Sequence, residues 1–328
     1  MGRRIDCWDA YWELLPSSKT VIKLSLVQLV CLSNVAILNQ SNNRTAKGNR
    51  EMGLFEGKKG LILGVANDRS IAWAIAKKIM SEGGQCGFTH LPDREDDEKK
   101  KNRRRVEKCF SKLDFEAEPK FLVPLNVQDD AQIAEVMETA KQEFGKIDFL
   151  LHSIAYADRA DLGDTIDASR EGFKMAMDIS CYSLIAVTKA ARPILSEKSA
   201  VACMTYFGGE KIVAGYNMMG ICKAALEATT RYLAYDLGTS GVRVNALSAG
   251  PLKTLASSAV GANEMLKMYE HVAPLGRNIE HHEVANGGAF LLSELSDGIT
   301  GEILHVDGGY NAMGSPGRMV NMLSLIHI

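Results

Sequence analysis

From Lys59 to Val306 the chain alternates short apolar runs with longer amphipathic ones, and this alternation constrains its fold more than any other feature. The apolar runs are residues 60–65, 85–90, 121–125 (with Pro124 at the end), 147–153, 200–206, 242–248 and 302–306. Helical patterns separate most of them, over residues 70–82, 131–144, 173–195, 216–239 and 279–293. Strand and helix alternating at this length imply parallel strands joined by right-handed crossovers, with helices on both faces. No second apolar pattern marks a separate domain, and no internal repeat is present. The expectation is an α/β fold: a single doubly wound Rossmann-type domain with a seven-stranded parallel sheet.

Composition supports one large core, with 46% apolar and 24% charged residues. A net charge of -2 gives no electrostatic case for nucleic acid or an anionic membrane as a partner. Residues 93–108 hold a mixed-charge run, read as a solvated helix after the second strand because its acids lie among its bases. The seven cysteines include no C-x-x-C pair and no zinc spacing, so no metal is expected and a reducing, cytoplasmic compartment fits. Residues 21–38 are apolar-rich but interrupted by Lys23, Ser25, Gln28, Ser33 and Asn34, a poor membrane span. Residues 1–51 are read as an extension, disordered or non-native, with a transit peptide as the alternative. Residues 52–319 are then the domain and 320–328 a tail.

A doubly wound sheet binds its nucleotide beyond the carboxyl ends of its strands, near the switch in strand order. The first strand-to-helix turn runs from Gly64 to Ser70 and Ile71, with Ala66 keeping it small. It is not G-x-G-x-x-G, but the helix beginning there aims its N–H groups and positive dipole end at a pyrophosphate. Asn126 and Val127 follow the third strand, where a short polar side chain can meet an adenine edge. Ser153, Ile154 and Ala155 follow the fourth and leave room for ribose. Gly250, Leu252 and Thr254 follow the sixth, where a nicotinamide amide would lie. Tyr216 and Lys223, seven apart, point within about 20° of one direction on a helix. A phenol can donate to a developing oxyanion, and a nearby ammonium can grip a cofactor sugar. The combination reads as nicotinamide-dependent reduction.

With these motifs the chain resembles the bacterial-type NAD(P)H-dependent enoyl-acyl-carrier-protein reductases of the short-chain dehydrogenase/reductase superfamily. The resemblance covers residues 53–319. It rests on the Gly64–Ala72 turn, His152-Ser153-Ile154-Ala155, Tyr206 with Tyr216 and Lys223, Arg243-Val244-Asn245-Ala246, Ala249-Gly250-Pro251 with Thr254, and Asp307-Gly308-Gly309. The tyrosine–lysine spacing is its specific part. Superfamily members acting on alcohols and ketones place lysine four residues after tyrosine, where this chain has Gly220. The resemblance implies hydride transfer to C3 of a trans-2-enoyl thioester, charge gathering on the thioester oxygen, and protonation at C2. It implies Tyr216 as the donor at that oxygen, Lys223 on the nicotinamide ribose, and Tyr206 shaping the acyl pocket and supporting the enolate.

Residues 255–272 would cover the substrate, with Ala256 among the small residues favouring movement and Met265 presenting an apolar surface. Tyr156 and Met219 would line the same pocket. The implied partners are acyl carrier protein carrying trans-2-enoyl chains and further copies of the chain in a homotetramer. Leu91, after the second strand, carries no phosphate-binding charge, and Asp93 could accept from a ribose 2′-hydroxyl, which favours NADH. Arg94 could meet a 2′-phosphate, which keeps NADPH open. Asn126 stands where aspartate is usual in the family, and Ala155 where glycine is. Reduction of another enoyl thioester or a carbonyl, or a non-catalytic NAD(P)-binding sensor, are the alternatives.

Overall fold

In a computed structural model, the described residues are 52–254 and 262–320, with residues 262–264 described by backbone alone. Residues 1–51 and 321–328, expected to be extension and tail, lie outside them, as does Ala256. The strands are β1 (Lys59–Leu63), β2 (Gln85–His90), β3 (Phe121–Pro124), β4 (Ile147–His152), β5 (Leu195–Thr205), β6 (Arg243–Ala249) and β7 (Ile303–Val306). The helices are α1 (Ile71–Ser81), α2 (Lys101–Phe110), α3 (Asp130–Phe144), α4 (Arg170–Met177), α5 (Ser183–Ala191), α6 (Asn217–Gly238), α7 (Ala262–Val272) and α8 (His281–Leu292).

All seven strands form one parallel sheet in the order β3-β2-β1-β4-β5-β6-β7. Strand order reverses between β1 and β4, so the crevice that such sheets offer to ligands lies between Gly64 and Ser153. The central strands read as continuous apolar runs because helices cover both faces. The pleat divides them: Ile62, Phe149 and Leu151 face one core with Trp73, Ile75 and Val284, while Leu61, Leu63 and Leu150 face the other with Ile133, Val187 and Leu226. Each fully buried side chain of this size stabilises the fold by about 1.5–3 kcal/mol.

The expected helix over 173–195 is broken. A π-helical turn, Asp178–Tyr182, separates α4 from α5, and a 3-10 turn, Arg192–Ile194, ends the second at Pro193. Serine hydroxyls help set the break: Ser183 donates to Ile179 O at 2.6 Å, and Ser180 both accepts from Tyr156 N and donates to Tyr156 O, each at 2.9 Å. Strand β5 begins at Leu195, before the expected 200, through the polar residues Ser196, Glu197 and Lys198. Its register against β4 shifts there, with Ser196 Oγ donating to Asp148. The charged run resolves into turns and then α2, whose leading N–H groups donate to carboxylates, Lys101 N to Asp97 and Asn102 N and Arg103 N to Asp93.

Two motifs have structural reasons. Arg243 is buried and donates to Leu291 O, Ser293 O and Ser296 Oγ, pinning the carboxyl end of α8 to β6. Asp307 accepts from Gly309 N and Asn311 N, folding the turn after β7. The described cysteines are reduced and buried, and burial pushes the Cys109, Cys203 and Cys222 thiols up to about 11. Among the described residues, no helix is long and apolar enough to cross a membrane, and no cluster of three or more His, Cys, Asp or Glu side chains could hold a metal.

Candidate active site

The site is built on the switch point. Gly64 adopts φ +95, and a Cβ there would stand 2.0 Å from Ser153 O. The two turns therefore pass in contact, and only glycine fits at the crossing. Ser70 Oγ accepts from Ala66 N at 3.0 Å and Asn67 N at 3.1 Å, so it closes the turn rather than capping α1. With no side-chain cap and no acid in its first turn, α1 keeps its leading N–H groups and positive end for an anion. Ile71 begins the helix half-buried.

Around this turn the other strand ends follow in order. Leu91 is exposed, and its carbonyl accepts from His90 Nδ1 at 2.9 Å. Asp93, which could accept from a ribose hydroxyl, has its carboxylate at the start of α2, accepting from Asn102 N and Arg103 N. Asn126 Oδ1 accepts from Gln128 N at 3.1 Å, Asn126 N donates to Gln132, and Val127 is buried. Ser153 N donates to Leu63 O, Ile154 is half-buried, and Ala155 is exposed. Gly250 N donates to Val306 O, and Thr254 N to the carbonyl of buried Leu252. A cleft of about 930 Å³ adjoins this turn, with Pro251, Leu252, Leu266, Ile279 and His281 in its lining.

The candidate reactive groups come from the end of β5 and the start of α6. Tyr206 is extended at the strand end, followed by a 3-10 turn, Phe207–Gly209, that packs on α6. Tyr216 is the residue before α6, and its ring lies edge-on to that of Tyr206 with centroids 4.7 Å apart. A Cβ on Gly208 would stand 2.4 Å from the Tyr216 ring, and one on Gly220 would stand 2.8 Å from Gly208 O. Gly220 is thus where α6 rests on the backbone after β5. Lys223, two turns into α6, is buried and donates from Nζ to Met204 O at 2.7 Å.

Burial sets the electrostatics. It pushes the Tyr206 hydroxyl up to about 12 and raises the Tyr216 hydroxyl further, so both are protonated donors at neutral pH. It also holds the Lys223 ammonium below the ordinary lysine range. Glu227, one turn on, accepts from Thr205 Oγ1 at 2.6 Å, and burial raises its carboxyl above the ordinary range. His152 Nε2 lies 2.8 Å from Ser183 Oγ, whose proton goes to Ile179 O, so the ring is protonated on Nε2. Burial brings that imidazole down to about 3, keeping it neutral beneath the site.

Of the expected pocket residues, Met265 reaches the site: its sulfur accepts from the Tyr206 hydroxyl at 3.4 Å. Met219 packs with Ala176, Met218 and Cys222 in a small separate cluster, and Tyr156 is about half exposed. Sequence reasoning missed Tyr269, whose hydroxyl lies 3.1 Å from that of Tyr206. The available signal was its place four residues after Met265 on one helical face.

A doubly wound parallel sheet with an uncapped helix at its switch point, a tyrosine pair and a buried lysine defines a nucleotide-dependent reductase of the short-chain type. The family model described as enoyl-(acyl carrier protein) reductase matches residues 64–311. The chain belongs to the enoyl-acyl-carrier-protein reductase family. It is 46% identical over 260 residues to enoyl-[acyl-carrier-protein] reductase [NADH] FabI of Nostoc sp., a match spanning 79% of this chain and 98% of that protein. Its fold is similar to the crystal structure of the Bacillus cereus enoyl-acyl carrier protein reductase with NADP+ and indole naphthyridinone. That comparison has a TM-score of 0.75 and 42% identity, and covers 80% of this chain and 100% of the other. The Anaplasma phagocytophilum reductase in complex with NAD is similar at TM-score 0.74 and 38% identity, covering 82% and 99%.

Proposed function

We propose that this chain reduces trans-2-enoyl chains carried on acyl carrier protein, with NADH as the reductant, in fatty acid elongation. The observation that carries the assignment of roles is the placement of Tyr216 immediately before α6 and of buried Lys223 within it, with the Tyr216 ring against that of Tyr206 at the end of β5. Gly64, Ser70, Ile71, Asn126, Val127, Ser153, Ile154, Ala155, Gly250, Leu252 and Thr254 would hold the cofactor, with Leu91 at its adenosine end. When bound, NADH supplies the hydride. Tyr216 donates its hydroxyl proton in a hydrogen bond to the thioester oxygen as charge develops there, worth roughly 3–4 kcal/mol by comparison with oxyanion-hole deletions. Lys223 holds the ribose hydroxyls and so fixes the approach geometry, its ammonium anchored by Met204 O.

Tyr206 backs Tyr216 edge-on and presents a second hydroxyl to the acyl side. The uncharged, exposed Leu91 favours NADH over NADPH, since it offers a 2′-phosphate no cation. Family membership also supports a homotetramer, cytoplasmic localisation and a reductase unit spanning residues 52–319. The test follows absorbance at 340 nm with NADH or NADPH and trans-2-enoyl thioesters on carrier protein or coenzyme A. Thioester-dependent oxidation of NADH, faster with the carrier-bound chain, is expected. Cofactor binding without turnover on any enoyl thioester would overturn the reading and favour a sensor.

A further inference from the structure

The Tyr206 hydroxyl meets two side chains of one helix. Tyr269 O lies 3.1 Å away and Met265 Sδ 3.4 Å away, and the two residues are one turn apart on α7. A phenol carries one proton and a thioether sulfur only accepts. The chain of hydrogen bonds therefore runs one way: Tyr269 donates to Tyr206, and Tyr206 donates to Met265. Tyr269 is firmly placed, 2% exposed and stacked on Tyr310 with centroids 4.0 Å apart and planes at 16°. Tyr310 in turn meets Phe207, the residue after Tyr206, edge-on at 5.6 Å. The donor is thus braced against the same turn that carries Tyr206.

Resting on the reading of Tyr206 as the second phenol of the enoyl-reductase site, we propose that Tyr269 is a positioning residue for this reaction. Its hydroxyl fixes the direction of the Tyr206 O–H, and Met265 sulfur holds that proton until the substrate oxygen takes its place. The exchange runs in the right direction, because a thioether is a weak acceptor and an oxygen gathering negative charge is a strong one. A phenol that accepts one hydrogen bond is also a better donor of the next. Tyr269 acts through Tyr206, and α7 is thereby coupled to the reacting end of the substrate.

The experiment compares Tyr269→Phe, Tyr206→Phe and the double variant in the full chain with NADH and an enoyl thioester on carrier protein. Tyr310→Phe serves as a control for losing a nearby phenol while keeping the ring stack. Tyr269→Phe should lower kcat about fivefold, the scale of one hydrogen bond, and move KM for thioester and for NADH by less than about twofold. Added to Tyr206→Phe it should cost nothing further, and Tyr310→Phe should keep the parent kcat. Parent kcat in Tyr269→Phe, the same fold loss in both backgrounds, or an equal loss in Tyr310→Phe would overturn the proposal. An impaired Tyr206→Phe beside an unimpaired Tyr269→Phe sinks the positioning role alone. An unimpaired Tyr206→Phe sinks the reading of the site as well.

Discussion

Gly64→Ala isolates the contact on which the proposed cofactor site is built, and Gly57→Ala supplies its control. Both glycines have positive φ, +95 at Gly64 and +75 at Gly57. A side chain on Gly57 would meet nothing within 4 Å, whereas one on Gly64 would stand 2.0 Å from Ser153 O. Left-handed strain costs about 1–2 kcal/mol at either place. Relieving the clash at Gly64 requires β1 and β4 to part at their carboxyl ends, adding about 1–3 kcal/mol by the scale of overpacking. A domain of this size loses roughly 2–4 °C in Tm per kcal/mol, so Gly57→Ala should fall by roughly 2–8 °C and Gly64→Ala by roughly 4–20 °C. Scanning calorimetry on both variants checks the difference, and a fluorescence titration with NADH checks the consequence. Gly64→Ala should lose about tenfold or more in NADH affinity, equivalent to about 1.4 kcal/mol, while Gly57→Ala keeps it. Equal Tm losses, or parent NADH affinity in Gly64→Ala, would refute the claim that close approach at the switch point forms the site.

His152 and Gly220, close to the site, each give a further prediction. His152 sits near 3 when folded against an ordinary 6.5, so between these values the unfolded chain binds a proton the native chain excludes. Stability should therefore fall as pH drops from 6.5 toward 3, and His152→Gln, which can still donate to Ser183, should flatten that limb in urea titrations at stepped pH. Gly220→Lys tests the spacing: the new Cβ would stand 2.8 Å from Gly208 O. The variant should lose about 1–3 kcal/mol of stability in urea denaturation and fail to restore activity to Lys223→Ala.

Much of the fold was legible because periodicity and burial coincide. The central strands are apolar throughout, being covered on both faces, and α3 and α6 carry their pattern without interruption. The reading failed where hydrogen bonding overrode pattern. Ser180 and Ser183 help turn one apolar stretch into α4, a π turn and α5, and the polar start of β5 is held by Ser196 and Asp148. In the candidate site, chemistry and spacing single out Gly64, Tyr216 and Lys223, and the structure sets Gly64 against Ser153, Tyr216 against Tyr206, and Lys223 on Met204 O. Tyr269 was not legible, since its partner lies 63 residues away in sequence. Asp93 was ambiguous because an acid after β2 serves a ribose or a helix start equally well, and its carboxylate accepts from the first turn of α2.

The central claim is that Tyr216 serves the developing charge while Lys223 serves the cofactor. Measuring kcat at saturating NADH and the Kd for NADH on Tyr216→Phe and Lys223→Ala, side by side, tests it most directly. Tyr216→Phe should lose about 10²–10³ in kcat at parent NADH affinity, while Lys223→Ala weakens NADH binding by about tenfold or more. Parent kcat in Tyr216→Phe, or parent NADH affinity in Lys223→Ala, would contradict it.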